Sequence, residues 1–245
     1  MSGTRKAIVT GASSGIGRAI CKELCELGYE VYGIGRDFSR EENLKDEQNT
    51  CDTYNLAITQ IECDITNTQL LEKTIKDINK NHDVTLLVNN AGVGFYGLHE
   101  ELNAAKISKM VRTNLEAPMI ITSLLLRDLK ANHGTIINIS SVTADKTNPH
   151  GCAYGATKAG LASFSRSLFE EARKYGVRVV NVEPDMTVTN LYRNADFKAS
   201  DDVMASLSPE EVAEAVSYIL KQREGLVVTD ITIRPQLHRL SKKNK

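Results

Sequence analysis

The chain has 245 residues, 41% of them hydrophobic and 25% charged, with a formal net charge of −1 and a pI near 6.5. This near-neutral balance argues against a generic nucleic-acid or membrane-surface binder, and no apolar run reaches the length of a transmembrane helix. The length admits one α/β domain or two small ones with a sizeable core. The N-terminus enters a strand almost at once, without the apolar core of a signal peptide. Five cysteines without a CxxC pair fit a reduced, cytoplasmic setting, and five histidines without ligand spacing imply no metal site.

Residues 5–10 read as a short buried strand, followed by Gly11-Ala12-Ser13-Ser14-Gly15-Ile16-Gly17 and a helix over 18–27. Glycines at a strand-to-helix turn let a ligand approach the backbone, and the helix N-terminus offers N–H groups to a pyrophosphate. The spacing Gly-x-x-x-Gly-x-Gly differs from the commoner Gly-x-Gly-x-x-Gly. Any strand–helix turn can be rich in glycine, but the strand–glycines–helix–strand context favours cofactor binding. Gly28 is placed as a C-cap, and residues 30–34 form the second strand. At its tip, Gly35 stands where a carboxylate would hold the ribose of NAD, and Arg36 follows it, which favours NADP(H) over NAD(H). Asp37 keeps the opposite reading open, since a register error of two would reverse it.

Residues 38–54 are polar and are expected to hold a short helix and a surface loop. A third strand over 56–63 ends in Asp64-Ile65, where the carboxylate could meet an adenine or cap the helix over 66–81. The apolar strand 84–88 runs into Asn89-Asn90-Ala91-Gly92, a run that could tie backbones together or be an ordinary turn. Residues 102–129 read as one long helix, with Asn114 on an otherwise apolar stretch and Pro118 predicting a kink.

The strand 135–139 leads through Ser140-Ser141-Val142 to a helix beginning at Tyr154 and running to 174. Tyr154 and Lys158 lie four residues apart and share one helix face, with Ser141 at the strand end where an open parallel sheet presents its crevice. A phenol titrates near pH 10, and a neighbouring ammonium lowers that value, as carbonyl–alcohol redox chemistry requires. Such a pair is also common on exposed helix surfaces. A strand over 176–182 ends in Glu183-Pro184-Asp185. Residues 186–207 read as a flap over the crevice, Ser208-Pro209-Glu210-Glu211 as a helix start, and 226–233 as the last strand. No repeat or linker divides the chain, so the alternation predicts a single α/β, Rossmann-like doubly wound domain over 1–245. Its parallel sheet would have about seven strands with helices on both faces.

Taken together and in this order, Thr10 to Gly17, Asn89 to Gly92, Asn114, Ser141, Tyr154 to Lys158, and Pro184 with Thr189 resemble the classical short-chain dehydrogenase/reductase family over nearly the full length. The resemblance implies an NADP(H)-dependent oxidoreductase acting on a small carbonyl or secondary alcohol. Tyr154 would be the general acid/base, Lys158 would bind the nicotinamide ribose and lower the phenol's pKa, and Ser141 would hold the substrate oxygen. Asn114 would hold a water in a proton relay reaching Lys158. Asp64 and Ile65 would flank the adenine, Asn90 would sit beside the adenosine ribose, and Thr187 and Thr189 would hold the carboxamide. It also implies a homodimer or homotetramer. Val93, Phe95, Val142, His150, Cys152, Asp185 and Met186 are the expected pocket walls, and Arg193, His150 and Lys198 the candidate cations for an acid substrate. With five Phe, eight Tyr and no Trp, a tight aromatic cage is not expected. Asp185 departs from the family's usual glycine after Pro184. The end around 228–236 looks more like the 3-hydroxy acid and serine dehydrogenase subgroup than the ketoacyl reductases. A non-catalytic NADP(H)-binding sensor is the reading from another class, set aside because Asn114, Ser141, Tyr154 and Lys158 are all present.

Overall fold

The computed structural model describes residues 5–39, 50–51 and 56–243, so most of the polar stretch 38–54 lies outside the described residues. Apolar strand runs alternate with helices, and the central Val/Ile-rich runs over 5–10, 135–139 and 178–184 are buried on both faces, the pattern of a covered parallel sheet. The strands are β1 (Arg5–Thr10), β2 (Tyr29–Gly35), β3 (Thr50–Cys51), β4 (Leu56–Glu62), β5 (Val84–Asn89), β6 (Thr135–Ile139), β7 (Arg178–Pro184), β8 (Phe197–Ala199), β9 (Asp230–Ile233) and β10 (Leu240–Lys242). Seven of them pair in parallel in the order β4-β2-β1-β5-β6-β7-β9, with β3 antiparallel at the edge beside β4. The order reverses between β1 and β5, the switch point at which such sheets open a ligand crevice.

Helices cover both faces. Helices α1 (Gly15–Glu26) and α6 (Pro209–Leu220) share one core with Ala7, Val9 and Val31, while α2 (Thr68–Ile78), α4 (Ala117–Ala131) and α5 (Cys152–Ala172) share the other with Ile8, Ile34 and Leu87. Alternate residues of β1 thus feed opposite cores, as the two-residue period of a strand requires. Helix α6 begins at the expected point, with Ser208 and Glu211 forming a reciprocal capping box around Pro209.

The predicted helix over 102–129 is interrupted. Helix α3 (Ala104–Val111) passes through a π turn at Arg112–Glu116 into α4. Pro118 has no N–H to give the carbonyl of Asn114 four residues back, so no α-helical bond closes there, and the chain widens just before it into the π turn, where the Ala117 N–H donates to the Arg112 carbonyl. The last strand is shorter than predicted and starts at Asp230. The flap region contains a 3-10 turn (Asn190–Asn194) and β8, which pairs antiparallel with β10 from the end of the chain.

Candidate active site

A crevice enclosing about 1210 Å³, its open mouth included, runs along the C-terminal ends of β1, β2, β4, β5, β6 and β7. At one end the backbone is shaped for a ligand. Gly11 lies at φ 70°, and a Cβ there would stand 2.8 Å from the Ala91 Cα. At Gly17 a Cβ would overlap the Gly11 carbonyl oxygen and the Asn90 amide, so only glycine lets α1 start this close to β1. Helix α1 begins at Gly15 rather than 18, and Ser14 gives it no side-chain cap. Its first N–H groups therefore face the crevice wall made by Gly11, Ser13, Ser14, Gly15 and Ile16. Asn90 braces this cradle: its Nδ2 donates to the Thr10 carbonyl (2.9 Å) and to the Gly11 carbonyl (3.3 Å). Both amide hydrogens are so committed, which makes the backbone-tying role the one its side chain fills.

The tip of β2 bears on cofactor preference. Gly35 and Arg36 line the crevice. Asp37 does not, because its Oδ1 accepts from the Ser39 N–H (2.8 Å) and hydroxyl (2.6 Å). Asp64 and Ile65 also line the wall, and Asp64 caps its own turn by accepting from the Thr66 N–H at 3.0 Å and hydroxyl at 2.8 Å. Burial works to raise the Asp64 carboxyl, but the Thr66 bonds, with Arg36 and Lys109 nearby, outweigh it and hold the carboxyl below its usual range. Lys109 and Thr113, which pattern reasoning did not single out, join Ala91 and Gly92 on the opposite wall.

At the other end Ser141, Tyr154 and Lys158 converge. Ser140 turns away, its hydroxyl donating to the Lys158 carbonyl at 2.9 Å, while the Ser141 hydroxyl bonds the Tyr154 phenol. Lys158 is buried, with Nζ 2.7 Å from the Ile139 carbonyl oxygen and 5.9 Å from the Tyr154 ring centroid. The expected depression of the phenol by this lysine is not what the structure holds. Burial pushes the Tyr154 phenol well above its ordinary range, the nearby Tyr192 adds to this, and the Ser141 bond pulls the other way. Burial likewise lowers Lys158 to about 8.

Asn114 sits behind the crevice rather than on it. Its Oδ1 accepts from the Val93 N–H (2.9 Å), and its Nδ2 donates to the Val93 carbonyl (2.9 Å) and the Thr157 hydroxyl (3.0 Å). The fully buried amide thus locks the Ala91–Val93 wall to α5, and the π turn holds it there.

The expected pocket walls divide. Val93 and Asp185 line the crevice; Phe95, Val142, His150, Cys152 and Met186 do not. The expected cofactor positions Pro184, Thr187 and Thr189 line it as well. Val142 opens a 3-10 turn (Val142–Ala144), and His150, at φ 62°, bends the loop so that its side chain is exposed. Cys152 lies two residues before Tyr154 on α5, about 200° around the helix, and lines a shallow groove with Asn148 and Ala156 instead. Of the three candidate cations only Arg193 reaches the crevice, and Lys198 is paired with Asp201 at 2.8 Å. Asp185 is held at both oxygens, by the Met186 N–H at 2.9 Å and by Arg234 Nε at 3.0 Å.

Few as they are, the aromatic rings are concentrated here. Tyr96 stands 5.6 Å from Tyr154, 6.1 Å from Tyr192 and 5.2 Å from Phe197, centroid to centroid. Tyr154 and Tyr192 face the crevice, which makes an aromatic wall on one side rather than a cage. The Tyr192 hydroxyl accepts from the Thr187 N–H, and burial pushes it up to about 12. Tyr96, Leu191 and Tyr192 carried no sequence signal, since loop residues have no period to mark them.

The Lys158 ammonium gives a stability test. In the unfolded chain a lysine keeps its proton to about pH 10.4, whereas here it is lost near 8. Between these values the unfolded state binds more protons, so this residue's contribution to stability rises with pH. Lys158→Met is expected to raise the melting temperature of the free protein below pH 8, with the gain shrinking towards pH 10. A pH-independent difference would reject the burial penalty.

Comparison with known proteins follows the same outline. Residues 5–199 match the family described as short chain dehydrogenase. A probable NADP-dependent dehydrogenase of Haemophilus influenzae is 33% identical, the alignment covering 95% of this chain and 94% of that protein. A serine 3-dehydrogenase of Agrobacterium fabrum is 31% identical, covering 96% and 94%. Among solved structures, an alcohol dehydrogenase from Thermococcus sibiricus complexed with 5-hydroxy-NADP superposes with a TM-score of 0.85 at 25% identity, covering 96% of this chain and 98% of that one.

Proposed function

The chain belongs to the short-chain dehydrogenase family, and from that membership and the crevice we propose that it is an NADP(H)-dependent oxidoreductase that reduces a small carbonyl compound or oxidises the matching secondary alcohol. The observation that carries this reading is the convergence of the Ser141 hydroxyl, the Tyr154 phenol and the Lys158 ammonium on one crevice wall, at the far end from the glycine cradle. The residues present fit the dinucleotide. The cradle takes the pyrophosphate at the N-terminus of α1, Asp64 and Ile65 flank the adenine, and Asn90, Ala91 and Gly92 form the opposite wall. Arg36 meets the 2′-phosphate, and Thr187 and Thr189 hold the carboxamide end, beside Pro184. Bound there, the nicotinamide supplies or accepts the hydride.

The protein's own groups handle the oxygen. Tyr154, held in its neutral phenol form by burial, donates its proton to the carbonyl oxygen as the carbon is reduced. Ser141 hydrogen-bonds that oxygen and keeps it beside the phenol. Lys158 orients the ribose and places positive charge next to the phenolate left behind. Asn114 fixes the Val93 wall through its side chain. Its main-chain carbonyl, to which Pro118 has no N–H to give, would accept a hydrogen bond from a water in the relay that returns a proton towards Lys158.

A second reading, dehydrogenation of a 3-hydroxy acid, is favoured by Arg193 on the crevice wall and by the likeness to serine 3-dehydrogenase. The same proposal covers a single Rossmann-like domain whose residues 186–207 form the substrate flap, a cytoplasmic setting, and assembly as a homodimer or homotetramer. Among the described residues no helix is long and apolar enough to cross a membrane. The test is absorbance-monitored turnover with NADPH and with NADH against a panel of ketones, aldehydes, diketones and 3-oxo acids. NADPH-dependent loss of a carbonyl is expected, and its rank order separates the two readings. Tight NADPH binding with no turnover anywhere would overturn both in favour of a sensor.

A further inference from the structure

The turn that carries the aromatic crevice wall is fastened by the far end of the chain. After β9, Arg234 pairs with Asp185 at 3.0 Å, the Leu237 N–H donates to the Met204 carbonyl at 2.7 Å, and Arg239 reaches Asp202 at 3.3 Å. Next β10 pairs with β8, and the Lys243 N–H donates to the Asp196 carbonyl at 3.0 Å. Last, Lys243 Nζ donates to the Tyr192 carbonyl at 2.7 Å and to the Arg193 carbonyl at 3.2 Å. These carbonyls belong to the 3-10 turn Asn190–Asn194, whose Leu191, Tyr192 and Arg193 line the crevice. A cation there satisfies acceptors at the negative end of the turn.

We infer that Lys243 is a positioning residue for substrate specificity: by fixing the Tyr192 turn against Tyr154 it sets the width of the carbonyl pocket without touching the substrate. The groups that make the pocket are held at two levels. The Tyr192 hydroxyl is tied inward to the Thr187 N–H, and its carbonyl outward to Lys243. Tyr192 also packs on Phe197 of β8, 5.5 Å between centroids, so the same strand pairing that brings Lys243 to the turn braces the ring. A side chain held at both ends loses little freedom when a substrate docks, which is where its contribution to affinity lies. The glycine cradle, by contrast, is built from the ends of β1 and β5 and the start of α1.

The inference rests on the reading of the crevice as a carbonyl-reducing site. Its test compares wild type with Lys243→Met and Lys243→Arg, using KM for the best carbonyl at saturating NADPH, the NADPH Kd, and amide hydrogen exchange over residues 190–199. Lys243→Met is expected to raise that KM about tenfold, the loss of one charge-assisted hydrogen-bonding group. Exchange in the turn should quicken, the NADPH Kd should stay within about twofold, and Lys243→Arg should recover most of the loss. An unchanged KM, unchanged exchange, or a Kd rising in step with KM would overturn the inference while leaving the oxidoreductase reading intact. A wild type inert towards every carbonyl would overturn both.

Discussion

Tyr154→Phe is expected to lower carbonyl turnover by about 10³-fold while leaving NADPH affinity within about twofold. The substitution removes one oxygen and keeps the ring, so the tilted ring contact with Tyr96 at 5.6 Å and the packing with Val93 and Met110 survive. The Ser141 hydroxyl keeps its bond from the Thr143 N–H at 3.2 Å, so the wall does not collapse. What disappears is the proton donor. Steady-state kinetics with a fluorescence titration of NADPH would measure both quantities. Retained turnover would remove Tyr154 from the chemistry, and a parallel loss of NADPH affinity would assign it to binding instead.

Arg36→Ala is expected to weaken NADPH by about 10²-fold and NADH by no more than about threefold, the size of a lost guanidinium–phosphate bond. Arg36 lines the crevice beside Gly35 and lies close enough to Asp64 to help hold that carboxyl in its charged form. Asp37 supplies the control. Its carboxylate is occupied by the Ser39 turn, so Asp37→Ala should not improve NADPH binding or impair NADH binding. An equal effect of Arg36→Ala on both cofactors would reject the 2′-phosphate contact, and a selective effect of Asp37→Ala on NADH would reverse the preference. Paired titrations of the three proteins decide it.

Much of this site is legible in the amino-acid sequence. The glycine turn after β1, the Tyr154–Lys158 face of α5 and the strand-end position of Ser141 were each readable from local chemistry. Local rules do not reach the rest. Residues 102–129 carry the apolar pattern of one helix, and Pro118 predicted a kink, but only the path of the chain shows that the disruption is a π turn that buries Asn114 against Val93 and Thr157. Val142, His150 and Cys152 sat near the right residues in sequence, yet a 3-10 turn, a left-handed residue and the helical repeat pointed them elsewhere.

The sequence by itself determined the alternation of strands and helices, the points where a ligand can approach the backbone, and the pairing of a phenol with an ammonium on one helix face. It could do so because these follow from the two-residue and 3.6-residue periods, from the φ freedom of glycine and from spacing along one element. Only the tertiary structure decided that Asp185 meets Arg234, that Tyr96, Tyr154, Tyr192 and Phe197 gather at one end of the crevice, and that Lys243 holds the turn bearing Tyr192. Those contacts join segments tens of residues apart through loops without periodicity, so no local preference encodes them. They exist because the sheet order brings the ends of β5, β7 and β9 to the same edge of the crevice.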